Sequence, residues 1–293
     1  MTEMRAPAKL NLCLYLGGVR EDGKHELASI FQPLELADLI AVEPLPAGSG
    51  DDVVCEGVEG DNLAAVALRE LRAAGWEAPP LRITIEKRIP VAAGLGGGSA
   101  DAAAVLRLAL GEVEGLEEIA ARIGADVPSQ LDPATVLVGG AGESVESLAL
   151  GSDYAIVLVP DERGLSTADV YAEADRLGLQ RDRSELEGLR ESLRADFEKG
   201  TGAAVGSGHA GVGLLDHTGR LTNDLQPAAL SLMPEIAEAL DALLEAGAAH
   251  AMVTGSGPTA VGLFGDRDAA ERAAEGLGRR YSGTLVTAPD RSS

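Results

Sequence analysis

A run of glycines that ends in a serine has the composition of a loop that binds phosphate. Gly94, Gly96, Gly97 and Gly98 precede Ser99, and an alanine-rich segment of helical composition follows. Glycine permits positive φ angles and lets main-chain N–H groups approach a ligand closely. At the start of a helix, such N–H groups and the helix dipole together bind anions, phosphate above all. Ser99 can cap the helix, or it can direct its hydroxyl to a metal ion or a phosphate oxygen.

The same glycine run also fits an ordinary turn between a strand and a helix, which needs no ligand. It is not a Walker loop, because no Lys-Ser or Lys-Thr pair follows the last glycine. The Rossmann fingerprint fits poorly, because the sixth position is not glycine and Glu112 and Glu114 lie too near for a ribose acid. A dinucleotide-dependent oxidoreductase is therefore the weaker alternative, and the pattern favours a nucleotide bound by another architecture.

Two polar residues near the start of the chain lie on one face of a predicted strand. Residues 5–16 alternate, with leucines at every second position on one face and Lys9, Asn11, Cys13 and Tyr15 on the other. On pattern alone, this polar face is interpreted as the solvated side of a sheet. Only four of the 24 basic residues are lysines, so each lysine is a candidate for a site that needs a compact point charge.

Other candidate residues fall in predicted turns and at predicted helix ends. Asp126 follows a helix stop at Gly124 and precedes a Val-Pro pair, which predicts a turn, where an aspartate usually has a structural role. A helix is predicted over 61–76, with Asp61 as its N-cap, Asn62 just inside its start and Gly75 as its stop.

The remaining elements indicate an α+β fold. Strands are predicted on both sides of the glycine run, and helices begin at Ser166 and Ser184, which are typical caps. A composition break near residue 160 separates the two halves. Residues 200–213 form a second glycine-rich stretch, interpreted as a mobile loop.

The composition limits the classes of partner. The net charge of −23 opposes binding to nucleic acid and to anionic membranes, although adaptation to high salt explains the acidity equally well. Two cysteines in apolar strand-like contexts indicate a reducing compartment. The start of the chain does not resemble a signal peptide, and no apolar run approaches membrane-spanning length, so we expect a cytoplasmic protein.

Three segments together resemble the three motifs of the GHMP kinase superfamily. They are APAKLNLCL near the start, PVAAGLGGGSADAAAVL in the middle and MVTGSGPTAVGLF near the end. Their order and spacing match across nearly the whole chain. The resemblance implies a two-lobed GHMP kinase fold, with an N-terminal lobe like domain 2 of ribosomal protein S5 over residues 1–160. A ferredoxin-like C-terminal lobe would cover 161–293.

The resemblance also implies an ATP-dependent kinase for a small molecule, with Mg²⁺ as the metal. Lys9 and Asp126 match the catalytic pair: Asp126 would orient or deprotonate the substrate hydroxyl, and Lys9 would keep that carboxylate ionised and stabilise charge on the phosphoryl group. Asn62 matches a position close to the adenine. The phosphates would bind to residues of the glycine run, with Ser99 near the metal: Gly94, Gly96, Gly97, Gly98 and Ser99.

The segments PAKLNL, DGKHEL and GADVP resemble the branch of the family that phosphorylates a cytidyl diphosphate sugar alcohol. This branch would assign substrate contacts to Asn11, Lys24, His25, Tyr171, Gly255, Ser256 and Gly257. Tyr171 would stack on the cytosine. Lys24 departs from the pattern, because the branch usually has an aromatic residue there, and the segment SQLDPATVLVGG after GADVP is also unlike the common form.

Two further hypotheses remain open. Another GHMP kinase would act on mevalonate, homoserine or a sugar, and a free hydroxy acid substrate would need an Arg or Lys for its carboxylate. A non-catalytic relative would keep the fold as a sensor. For the preferred hypothesis, the expected partner is a small-molecule substrate, with no nucleic acid or membrane, and the protein is expected to be a monomer or a homodimer.

Overall fold

The computed structural model describes residues 2–57, 62–198 and 214–291. Within these ranges the backbone forms ten β-strands and eight α-helices. The strands are β1 (Thr2–Val19), β2 (His25–Pro44), β3 (Asp52–Cys55), β4 (Leu81–Glu86), β5 (Val136–Gly139), β6 (Ser144–Ser147), β7 (Ala155–Val159), β8 (His250–Val253), β9 (Ala260–Phe264) and β10 (Leu285–Thr287). The helices are α1 (Leu63–Ala73), α2 (Gly97–Leu106), α3 (Leu116–Ile123), α4 (Thr167–Leu177), α5 (Arg183–Glu198), α6 (Gln226–Leu232), α7 (Ile236–Glu245) and α8 (Arg267–Leu277). This mixture confirms the predicted α+β class.

The chain divides into two compact units, and both draw on separate stretches of sequence. Unit 1 comprises Met1–Ala8, Leu36–Pro90 and Gly96–Pro133, and unit 2 comprises Lys9–Glu35, Val91–Leu95 and Ala134–Ser293. The glycine run is therefore divided, because Gly94 belongs to unit 2 whereas Gly96 and the residues after it belong to unit 1. The predicted boundary at residue 160 stays a prediction.

Unit 1 packs three helices against a small sheet. Strand β4 pairs in parallel with β3 and antiparallel with the end of β2, where Leu39–Pro44 faces Glu86–Leu81. Helix α2 is buried from Ala100 to Leu106 and packs on α1. Its alanines allow this close approach, because small side chains let two helix backbones come near each other. The core of unit 1 begins at Ala100 on this helix, and the start of α2, which carries the second half of the glycine run, lies at the edge of that core, with Gly97 half-buried and Gly98 exposed.

Unit 2 contains a four-stranded antiparallel sheet in the order β10-β7-β9-β8. Every residue of β7 and β9 is buried, and helices α7 and α8 pack on these strands around Phe264 and Leu243. In the same unit, β5 pairs with β6 and with the middle of β2, where Phe31 packs on Val136 and Val138. Burial on both faces explains why β7 and β9 have continuous apolar sequences.

Several predicted helix ends are confirmed. Gly75, with a φ of 90°, follows α1, and Gly124 is the C-cap of α3. Ser166 is the N-cap of α4, and its Oγ accepts a hydrogen bond from the N–H of Asp169 at 3.3 Å. These positions follow local rules of capping and backbone freedom.

Two predicted N-caps are wrong. Asn62, not Asp61, is the N-cap of α1, and Asp61 lies outside the described residues. At the start of α5, Ser184 is already inside the helix, and the Oδ1 of Asp182 accepts from the N–H of Glu185 at 2.8 Å. Ser and Asp cap about equally well, so the sequence could not choose between them. The second glycine-rich stretch, 200–213, also lies outside the described residues.

None of the helices in the described ranges combines the length and the hydrophobicity that a membrane crossing requires.

Candidate active site

The polar face of β1 is buried, so its interpretation as a solvated face is wrong. Lys9 is 5 % exposed and Asn11 is 2 % exposed, and Cys13 and Tyr15 are buried as well. The alternating pattern predicted the strand correctly. It could not predict the burial, because the groups that cover this face come from distant parts of the chain.

The ammonium group of Lys9 is held in a defined position within unit 2. Its Nζ donates to the Oδ1 of Asn11 at 2.6 Å and lies 4.7 Å from the centroid of the Phe31 ring. Its backbone N–H donates to the carbonyl of Leu95 at 3.0 Å. A buried ammonium is costly unless polar groups compensate for lost hydration. Lys9 is therefore an oriented charge placed beside the first half of the glycine run.

Asn11 is itself oriented by two other segments. Its Nδ2 donates to the Oγ of Ser29 at 2.9 Å, and its backbone N–H donates to the Oγ1 of Thr254 at 3.2 Å. Ser29 in turn donates to the carbonyl of Cys13. Because Nδ2 has this acceptor, the amide presents its Oδ1 to Lys9. Asn11 thus acts as an acceptor for the ammonium, which adds to the substrate role implied by the family resemblance.

The turn after β8 lies against Lys9 and Asn11. Gly255, with a φ of 55°, leaves room that a side chain would fill: a Cβ there would lie 3.3 Å from the Oδ1 of Asn11 and 3.6 Å from the Nζ of Lys9. The Nδ2 of Asn223 donates to the carbonyls of Val253 and Gly255, both at 2.8 Å. Unit 2 therefore brings Lys9, Asn11 and Gly255 together, and the roles that the family resemblance implies for them stay predictions.

Gly94 fits closely against the same turn. Its φ is 75°, and a Cβ at this position would lie 2.6 Å from the carbonyl oxygen of Thr254 and 3.0 Å from that of Gly257. The hydroxyl of Ser256 is 3.0 Å from that of Thr167, the first residue of α4. The middle and last motifs therefore pack backbone to backbone at Gly94, and only glycine permits this approach.

In unit 1, the second half of the glycine run forms the start of α2. Gly96, with a φ of 68°, is the N-cap, so Ser99 is the third residue of the helix and does not cap it. A Cβ at Gly97 would lie 3.1 Å from the Cγ2 of Ile89 and 3.2 Å from the Nζ of Lys87. Because glycine offers no capping side chain, the N–H groups of this first turn need another acceptor. A phosphate oxygen supplies such an acceptor.

Asp126 lies in unit 1, in the predicted turn after α3. Its carbonyl accepts a hydrogen bond from the Oγ of Ser129 at 2.8 Å. The Oγ of Ser99 is 4.0 Å from where a Cβ would stand at Gly124, so Ser99 and the turn that carries Asp126 are neighbours. Lys9 belongs to unit 2, and its pairing with Asp126 stays a prediction.

Asn62 is engaged by its own helix. Its Oδ1 accepts from the N–H of Ala64 at 2.8 Å, which is the usual bond of an N-cap. The predicted contact with an adenine stays a prediction.

Two of the residues expected on the cytidine side, His25 and Tyr171, lie together in unit 2. The Nε2 of His25 lies 2.7 Å from the Oδ1 of Asp175, and the rings of His25 and Tyr171 are 5.0 Å apart. The hydrogen bond from His25 lowers the pKa of Asp175, so this carboxylate fixes the imidazole. Tyr171 and Asp175 are one turn apart on α4. Lys24 is exposed, and its backbone N–H donates to the Oδ1 of Asp22 at 3.1 Å.

Within the described ranges, no group of three or more His, Cys, Asp or Glu residues could hold a metal ion. The donors at the glycine run fit a nucleotide, because they are main-chain N–H groups at a helix start and a serine hydroxyl. Mg²⁺ commonly binds through substrate phosphates and few protein ligands, so this donor set is also compatible with a metal that arrives with the nucleotide.

Sequence reasoning missed several residues that position the site. Four polar residues form hydrogen bonds to predicted site residues: Ser29 and Thr254 to Asn11, Thr167 to Ser256 and Asn223 to Gly255. None carries a local signal, because a polar residue within a strand or at a helix start has many ordinary roles. Thr254 is the exception, because it lies within the motif MVTGSGPTAVGLF, directly before Gly255.

Comparison with known proteins agrees with the three motifs. The model of the GHMP kinases N-terminal domain matches residues 62–140, and that of the GHMP kinases C-terminal domain matches residues 210–283. The chain is 41% identical to the 4-diphosphocytidyl-2-C-methyl-D-erythritol kinase of Streptomyces coelicolor, over 96% of this chain and 93% of that one. It is 38% identical to the enzyme of that name from Pelotomaculum thermopropionicum, over 96% of both. A crystal structure of 4-(cytidine 5'-diphospho)-2C-methyl-D-erythritol kinase superimposes with a TM-score of 0.75 at 34% identity, covering 99% of this chain and 100% of that one.

Proposed function

Because this chain belongs to the GHMP kinases, we propose that it transfers the γ-phosphoryl group of ATP to a hydroxyl of 4-diphosphocytidyl-2-C-methyl-D-erythritol. The hydroxyl is the one at position 2, and the reaction serves non-mevalonate isoprenoid biosynthesis. The observation that carries this proposal is the 41% identity over 96% of the chain to a kinase of that name. The cluster of His25, Tyr171 and Asp175 supports it, because an aromatic ring beside a fixed imidazole suits a pyrimidine.

In the proposed reaction, the carboxylate of Asp126 takes the proton of the acceptor hydroxyl. The acceptor oxygen forms a bond to the γ-phosphorus, and the bond from that phosphorus to the β–γ bridging oxygen breaks, so that ADP leaves. Lys9 neutralises charge on the transferred group, a role that a buried, oriented ammonium can fill without moving. The N–H groups at the start of α2 hold the phosphates, and Ser99 is the proposed contact of Mg²⁺, which supplies further charge compensation when bound.

The acceptor side is assigned to residues of unit 2. Tyr171 and His25 contact the cytosine, and Asn11 and the turn at Gly255, Ser256 and Gly257 contact the remainder of the acceptor. Lys24 takes the place of an aromatic residue, and it either lays its alkyl stem on the cytosine ring or pairs its ammonium with the diphosphate. The domain boundary at residue 160 is supported by the two family models, which match on either side of it. The cytoplasmic location and the monomeric or homodimeric state stay predictions from the sequence.

The test is phosphoryl transfer from labelled ATP to three acceptors offered separately: the cytidyl compound, mevalonate and homoserine. Transfer to the cytidyl compound alone is expected. Transfer to mevalonate or homoserine instead would favour another kinase of the family, and ATP binding without any transfer would favour the sensor.

Two variants test the assigned roles. Asp126→Asn should lower kcat by at least about 100-fold, in the range of general acid–base catalysis, while ATP binding survives. Asp132→Asn is the matched control, because Asp132 is an exposed acid six residues along the chain, and its turnover should not change. Unchanged turnover of Asp126→Asn would remove this residue from the mechanism.

A further inference from the structure

Three charged residues of unit 1 form a buried cluster beside the glycine run, and we call it the Lys87 clamp. Lys87 donates through its Nζ to the Oδ2 of Asp38 and to the Oδ2 of Asp101, the latter at 2.8 Å. The side chain of Lys87 is 14 % exposed, and the two carboxylates are almost completely buried. None of the three residues has a place in the proposed chemistry.

The clamp joins the two segments that flank the glycine run. The Oδ1 of Asp38 accepts from the N–H groups of Arg88 at 2.6 Å and Ile89 at 2.8 Å, where the chain leaves β4. Asp101 lies on α2, two residues beyond Ser99. Lys87 thus bonds to an acid that holds the entry to the glycine run and to an acid on the helix that follows it.

The ammonium group also lies close to Gly97, the first residue of α2. A Cβ at Gly97 would be 3.2 Å from the Nζ of Lys87. A side chain at Gly97 would crowd this ammonium group, so the position of Lys87 and the glycine at residue 97 together determine where α2 begins. A shift of Lys87 would displace the first turn of α2, whose N–H groups face the proposed phosphates.

Burying the charges of the clamp costs desolvation free energy, which argues against a role in packing alone. The Oδ1 of Asp101 is buried and makes no hydrogen bond. Burial raises the pKa of Asp101 to about 7, against the opposing effect of Lys87. Apolar residues of similar volume are often at least as stabilising as buried ions, so stability by itself does not explain this cluster.

We propose that the Lys87 clamp is a positioning device for the nucleotide: it fixes the spacing between the end of β4 and the start of α2, and so the placement of the N–H groups that bind the triphosphate. This inference rests on the proposed function, because it assumes that ATP binds at the start of α2. Lys87 is a positioning residue, and it acts through the backbone of α2.

The experiment measures the Kd of ATP by calorimetry and the KM of the cytidyl acceptor at saturating ATP. Lys87→Met keeps the volume of the stem and removes the ammonium, and Asp101→Leu keeps the branched shape and removes the acceptor. Both should raise the Kd of ATP at least tenfold and change the KM of the acceptor less than about twofold. Asp101→Asn retains an acceptor for Lys87, so its Kd should stay within about threefold of the parent value.

Arg72→Met is the matched control. Arg72 also joins separate segments of unit 1, since it bonds to Asp51 and to the carbonyls of Trp76 and Ala78, but it does not bond to the clamp. This variant should lower the melting temperature and leave the Kd of ATP unchanged.

The outcomes separate the inference from the proposed function. If the parent protein does not bind ATP, the proposed function fails. If the parent binds ATP and folded Lys87→Met or Asp101→Leu binds it equally well, the clamp has no positioning role. An equal loss of affinity in Arg72→Met would also overturn the inference, because general destabilisation would then explain it. If neither Lys87→Met nor Asp101→Leu folds, Asp101→Asn is the deciding variant. A tenfold loss of ATP affinity in Asp101→Asn, in which residue 101 still accepts a hydrogen bond from Lys87, would contradict the inference.

Discussion

The close approach of Gly94 to the turn after β8 can be tested with a single methyl group. In Gly94→Ala, an alanine would have to adopt a φ of 75°, which costs about 1–2 kcal/mol for a residue with a Cβ. The new Cβ would stand 2.6 Å from the carbonyl oxygen of Thr254, so one backbone segment must move. Overpacking of this kind typically costs about 1–3 kcal/mol. The free energy of unfolding should therefore fall by about 2–5 kcal/mol.

Gly98→Ala is the control for this change. Gly98 lies inside α2. The atom nearest to a Cβ at this position would be the Cδ1 of Leu63 at 3.6 Å, which is an ordinary van der Waals contact. Alanine is favoured over glycine within a helix by about 0.5–1 kcal/mol, so this variant should be as stable as the parent or slightly more stable. Any loss of ATP affinity in Gly98→Ala would then report on the approach of the phosphates.

The assay is urea unfolding at equilibrium, together with kcat/KM for phosphoryl transfer. Gly94→Ala should be destabilised and should also lose kcat/KM, because the strain separates Gly94 from the turn that faces Lys9 and Asn11. A loss of stability below about 0.5 kcal/mol with unchanged kcat/KM would refute the reasoning, since the two backbones could not then be in the contact described.

Three further outcomes are expected. Burial raises the pKa of Cys13 to about 12, whereas Cys55 is partly exposed, so a pulse of iodoacetamide at pH 8 followed by mass spectrometry should find label on Cys55 and, only after unfolding in urea, on Cys13. Burial lowers the pKa of His250, so the unfolded chain binds the proton more readily and the free energy of unfolding falls as the pH drops below about 6.5. In urea titrations between pH 7.5 and 5, His250→Asn should make this fall less steep. An unchanged dependence of the free energy of unfolding on pH would contradict the role assigned to His250. Asn62→Ala should cost about 1 kcal/mol in thermal unfolding, because the N-cap bond is lost, and a neutral result would show that the cap contributes nothing.

Local features were predictable where a short stretch carried its own physical constraint. The alternation of residues 5–16 predicted a strand, and Gly75, Gly124 and Ser166 marked helix ends as expected. The predictions failed where two residues satisfy the same local rule. Ser184 and Asp182 can both cap a helix, and the backbone conformation, which the sequence does not display, selected Asp182.

The role of Ser99 shows a second kind of limit. A serine before an alanine-rich segment fits a cap, but the helix begins two residues earlier, at Gly97. Propensity disfavours glycine in a helix, yet Gly97 and Gly98 form its first two positions. Ser99 therefore lies inside the first turn, with its hydroxyl beside Gly124 and not on its own helix start.

The sequence by itself determined the elements, the motifs and the family, because these depend on residue types at short spacing. Only the tertiary structure decided which polar groups are buried and what holds them. Asn11 meets Ser29 and Thr254, which lie 18 and 243 residues away, and Lys87 meets Asp38 across 49 residues. Contacts at such separations depend on how whole elements pack, and no local pattern of hydrophobicity or charge encodes them.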